Sequence, residues 1–102
     1  MHTASESMDA YRTGRKAYLT GDYDKAITAF RWASGLDPDN PIYSHSAALS
    51  AVRAGDETGA EQLFLRAILG TQRTLGTDHP FMLLVASDLA AFYEKRAAAK
   101  KR

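Results

Sequence analysis

The sequence contains no cysteine, which excludes disulfides and thiolate metal sites outright. Proline is scarce, at three residues in 102 with seven glycines, as in an ordinary folded soluble domain. No segment approaches the ~18 uninterrupted apolar residues of a membrane span. The opening stretch MHTASESMDAYRTGRK has no apolar run able to serve as a signal-peptide core. A cytoplasmic location and no membrane partner are therefore expected. A charge bias is missing too: 13 Lys and Arg against 12 Asp and Glu leave a formal net charge of +1. No global pull toward nucleic acid or anionic lipid follows. What is present, 45% hydrophobic and 25% charged residues, is too apolar for a disordered chain. The length suits a single domain, residues 1–102, with a modest core.

Chemistry-bearing motifs are absent as well. His2, His45 and His79 share no ligand-like spacing, and no Ser–His nucleophile pair can be assembled from them. GTQRTLGT lacks the Lys-Ser/Thr that follows the second Gly of a phosphate loop. Asp37-Pro38-Asp39-Asn40 has the acidity of a calcium loop without its bend glycine or terminal bidentate Glu, and reads better as a turn with a helix cap. No catalytic residue, metal ligand or cofactor is expected, and the chain reads as a non-enzyme.

The positive signal is a repeat. A shift of 34 residues superimposes Gly21-Asp22 on Gly55-Asp56, Ala26 on Ala60, Phe30 on Phe64 and Ala33 on Ala67, with Gly14 falling on Ala48. Each period reads as helix, tight turn, helix. The first helix is predicted from about Ser5 to Leu19, ending at Thr20-Gly21, and the second from about Tyr23 to Ser34, closed by Gly35. Ala26, Ile27, Phe30 and Ala33 fall on one apolar face. Asn40-Pro41 is a cap followed by a first-position proline, opening a third helix through Ala54. A fourth starts near Glu57, with Ala60, Phe64, Ala67 and Ile68 inward, and runs long, through Arg73. A fifth spans about Pro80 to Ala98. The fold class is all-α: two helix hairpins, 5–40 and 41–78, with an unpaired capping helix and basic tail, 79–102.

These residues resemble the tetratricopeptide repeat family over almost the whole chain. GDYDKAITAFRWASGLDPDN is similar to that family's second helix and inter-repeat turn, with its landmarks at Gly21, Ala26, Phe30, Ala33 and Pro38. LGTDHP followed by SDLAAFY resembles the longer repeats of the kinesin light chain type. The resemblance implies an α-solenoid that holds another polypeptide. The family's first-helix aromatic position is Ala10 here and Ser44 in the second repeat, so Tyr11, Tyr18 or Tyr43 must compensate. Where some members clamp a chaperone's terminal carboxylate, this chain has Tyr11, Arg15, Ser46, Leu84 and Asp88, which disfavours that mode.

In such a solenoid the first helix of each hairpin lines the concave face. That places Tyr11, Arg15, Tyr18, His45, Leu49, Val52, Arg53, Ala91 and Lys95 in a groove suited to an extended or helical peptide with acidic groups. The blander reading makes the cations solvated surface charges. Trp32 is either a half-exposed convex residue or a partner anchor. EKRAAAKKR, with Lys95, Arg96, Lys100, Lys101 and Arg102 at or near it, reads as a solubilising cap rather than a nucleic-acid site. In the fifth helix only Ser87 and Asp88 are polar from Phe81 to Tyr93. A missing partner helix is therefore expected to leave Met82, Val85, Leu89 and Phe92 to be covered by a second copy or by a target. The expected function is an adaptor, assembly factor or chaperone for a protein or peptide partner. The alternatives are a self-assembling scaffold built through the last helix and, less favoured, a nucleic-acid accessory protein.

Overall fold

The structure is a computed structural model that describes residues 4–101. His2 and Arg102, both singled out in the sequence, lie outside the described residues. Five helices and no strand occupy them: α1 (Ala4–Leu19), α2 (Tyr23–Leu36), α3 (Pro41–Ala54), α4 (Glu57–Thr74) and α5 (Pro80–Lys100). Each helix packs chiefly on its neighbours in chain order, and the molecule is elongated, 49 × 33 × 18 Å.

The 34-residue period is reproduced down to single hydrogen bonds. Gly21 and Gly55 turn the chain at φ 84° and 83°, conformations open to glycine at little cost. The next amides, Asp22 and Asp56, each donate to a carbonyl five residues back, Ala17 and Ala51, at 2.9 Å. The same two aspartates then cap the following helix, accepting from the Lys25 and Gly59 amides. Asn40 caps α3 through the Ile42 amide, and His79 Nδ1 accepts from the Phe81 amide at the start of α5. One boundary differs from expectation. Gly35 does not end α2, because its backbone stays helical and the helix closes two residues on, where Asp37 N–H bonds the Ala33 carbonyl.

The core follows from side-chain size. Ala26, Ala33, Ala47, Ala48, Ala51, Ala60 and Ala67 are fully buried, so helix axes approach closely, while Phe30 and Phe64 fill the space between them. Burying each ring contributes about 1.5–3 kcal/mol. The aromatic position vacated by Ala10 and Ser44 is filled by Tyr43, which is buried and packs its ring 5.3 Å from that of Tyr11. Tyr11 in turn lies 5.5 Å from Phe30.

α3 is buried on both flanks, polar Ser44, His45 and Ser50 included. His45 is consequently not a groove residue, as the sequence suggested. It is buried beside Phe64 and Phe81, with Nε2 donating to the Asp88 carboxylate at 2.7 Å. The expectation for α5 is corrected likewise: Val85, Leu89 and Phe92 are buried within this chain, inside the same core cluster as Ala48 and Phe64, and Met82 is half-buried. They are not left for a second molecule to cover. Buried side-chain polar atoms are paired with one exception among the described residues, the Ser34 hydroxyl, which has no hydrogen-bond partner. Ser34→Ala should therefore raise stability, by about 1 kcal/mol, since the orphaned hydroxyl loses its water on folding and gains nothing. Urea unfolding would check this, and a lowered midpoint would contradict it.

Candidate partner-binding trough

The trough is built by three helices that share one register. Aligning Gly14, Ala48 and Ala90 directs Tyr11, Arg15 and Tyr18 of α1, Leu49 and Val52 of α3, and Ala91 and Lys95 of α5 toward one side. Between α1 and α3 a hollow of about 190 Å³ is lined by Tyr11, Arg15, Tyr18, Leu19, Phe30, Ser46 and Leu49. Leu49 is shared with a second hollow, about 500 Å³, which reaches Val52, Phe64, Asp88, Ala91, Phe92, Glu94 and Lys95. Val52, Phe92 and Lys95 carry on into a third that ends at Glu57, Arg96 and Ala99. The three adjoin one another through these shared walls, and their linings are mainly apolar.

Its charges are distributed unevenly. The Arg15 guanidinium stands 5.9 Å above the centre of the Tyr11 ring and makes no ion pair among the described residues. No carboxylate lines the α1–α3 hollow. At the other end Lys95 is accompanied by Asp88 and Glu94. Arg53 is exposed but lines none of the three hollows. It folds over Tyr23, 5.0 Å from the ring centre, and donates to the phenol oxygen at 2.8 Å, while Tyr23 packs edge-on against Tyr18. Arg53 thus steadies the wall carrying Tyr18.

Arg96 leaves the basic tail for the α4–α5 seam. It pairs with Glu61 at 3.6 Å and stacks over Phe92 and Tyr93. The Tyr93 phenol is pushed above its ordinary value, first by the neighbouring Glu61 carboxylate and then by burial, with Arg96 opposing. Lys100 and Lys101 remain exposed. The Asp37–Asn40 turn is occupied by its own bonds: Asn40 Nδ2 donates to Asp37, and Asp39 pairs with Arg73 at 3.4 Å. Among the described residues no cluster of three or more His, Cys, Asp or Glu could hold a metal ion, and no helix is long and apolar enough to cross a membrane. Trp32 is 66% exposed, on the outer α1–α2 surface beside Ala10, Ala29 and Leu36.

Of the expected groove residues, the structure gathers Tyr11, Arg15, Tyr18, Leu49, Val52, Ala91 and Lys95 along the hollows and removes His45 and Arg53 from their lining. Sequence reasoning missed Phe30, Phe64 and Phe92, which line the hollows although all three are core residues. The signal for Phe30 was Gly14: the ring lies so close to this glycine that a Cβ there would meet it at 2.6 Å. A scan against protein-family models and a search of curated proteins find no match to this chain.

Proposed function

We propose that this chain is a non-catalytic, tetratricopeptide-like interaction module that holds a peptide segment of another protein in the trough, acting in the cytoplasm as an adaptor, assembly factor or chaperone. One observation carries the reading: adjoining, mainly apolar hollows lie over α1, α3 and α5, and the smallest of them pairs aromatic walls with an arginine that has no carboxylate partner among the described residues. Apolar side chains supply area and Arg15 supplies directed donors, the combination that concentrates binding energy at interfaces. The hollow of about 190 Å³ exceeds the ~150 Å³ that accommodates a benzene ring. It therefore suits one aromatic or branched side chain, with an acidic group beside it for Arg15. The mixed charges around Lys95, Asp88 and Glu94 impose no such preference on the other end.

Panning a displayed random-peptide library on the full chain tests this. Enriched clones should carry an acidic residue next to an aromatic or branched apolar one. The combined variant Arg15→Ala, Tyr18→Ala, Arg53→Ala should retain them at least tenfold more weakly with unchanged helix content. No enrichment, or equal retention by the variant, rejects the trough as the binding surface.

A further inference from the structure

α1, α3 and α5 occupy equivalent places, and their registers permit a direct comparison. Ser7, Ala10, Gly14 and Ala17 of α1 correspond to Pro41, Ser44, Ala48 and Ala51 of α3, and to Leu83, Ala86, Ala90 and Tyr93 of α5. The first eight are all buried, under α2 and α4 respectively. On α5 the same face is open: Leu83 is 72% exposed, Ala86 and Ala90 are exposed, Tyr93 is half-buried, and exposed Ala97 extends the stripe. The other end of the stack is built differently. Where α3 and α5 bury Tyr43, Ala47, Val85 and Leu89, α1 carries Asp9 and Thr13, both exposed. The matching positions of α1 are thus polar, whereas the face of α5 is apolar.

The molecule itself displays, twice, what lies on such a face. Phe30 stands 16 residues after Gly14 and rests its ring on it; Phe64 stands 16 residues after Ala48. Each Phe is bracketed by alanines four residues before and three after, Ala26 and Ala33 or Ala60 and Ala67, all completely buried. Each covering helix opens with carboxylates, Asp22 and Asp24 or Asp56 and Glu57, next to the C-terminal end of the helix it covers. The corresponding end of α5 carries exposed Lys100 and Lys101. Charge therefore matches shape: a helix running antiparallel to α5 would bring an acidic first turn to two lysines. A second copy of the chain has its own two helices of this kind already committed to its hairpins.

We propose that the Leu83–Ala86–Ala90–Tyr93–Ala97 face of α5 receives a helix donated by a partner protein. That helix has an acidic first turn and an aromatic side chain between two alanines, and its ring seats on Ala90. This face is separate from the trough, and the proposal stands independently of what the trough binds.

The probe is a fluorescein-labelled synthetic peptide of residues 56–74, added to the full chain and followed by anisotropy. Saturable binding is expected, weakened at least tenfold by Phe64→Ala in the peptide and by Ala90→Phe in the protein, which fills the seat. Lys100→Glu with Lys101→Glu should weaken it several-fold and flatten its salt dependence. Ala86→Glu blocks the same face and serves if Ala90→Phe does not fold. Absence of saturable binding overturns the proposal. So does equal binding to the blocked variants, which would mean that the peptide displaces the chain's own α4. A dimeric mass for the free chain that Ala90→Phe reduces to a monomer also overturns it, because a second copy would then hold the face.

Discussion

Phe64→Ala is expected to destabilise the protein by about 3–5 kcal/mol, the cost of a fully buried ring removed from a core that collapses incompletely. Phe64 is 1% exposed and meets three helices at once: it belongs to α4, its ring lies 6.3 Å from His45 of α3, and it lies 5.9 Å from Phe92 of α5. The second of these contacts holds α5, whose packing on the body is sparser than that of any other neighbouring pair. The loss should be large against the ~5–15 kcal/mol total of a domain this size, lowering the melting temperature by at least about 12 °C. Denaturant unfolding followed by helix signal measures it. A loss below about 1 kcal/mol would show that α5 and α3 are not joined through this ring.

Gly14→Ala should also destabilise, by about 1–3 kcal/mol, although glycine inside a helix normally costs about 1 kcal/mol relative to alanine. Geometry decides the sign. The new methyl would lie 2.6 Å from two carbons of the Phe30 ring, far inside the ~3.5–4.0 Å of a favourable carbon contact. That ring cannot swing away, because it is 2% exposed and wedged against Tyr11. Shrinking the ring in the same chain, Gly14→Ala with Phe30→Leu, should recover part of the loss. The thermodynamic cycle of the two single variants and the double variant checks it, and additive effects would mean that the two residues do not oppose each other.

The helices were legible because their ends carry local chemistry. Asp22, Asp56 and Asn40 cap, Gly21 and Gly55 turn, and the 34-residue spacing ties one hairpin to the other. The wall of the trough was legible through register alone, which located Tyr11, Arg15, Tyr18 and Leu49. The reading of α5 failed because that helix is apolar nearly all round from Phe81 to Tyr93, so periodicity cannot say which side meets the neighbour. For α5 there were two candidate stripes about a third of a turn apart, and Val85, Leu89 and Phe92 face inward because they are bulky enough to reach Phe64 and Ala48. The alanines of the other stripe are not. His45 seemed free because only tertiary structure brings Asp88, 43 residues away, to its ring.

The linear order of packing also governs how the molecule loosens. Since each helix leans mainly on the one before and the one after, opening need not be all-or-none but can begin at an end. α3, enclosed on both flanks, should keep its amide protons longest, while α5, secured on one side and thinly, should exchange them first. The segment that supplies Lys95, Ala91 and Phe92 to the trough is then also the quickest to detach, so any ligand that bridges α3 and α5 would slow amide exchange along the whole of α5.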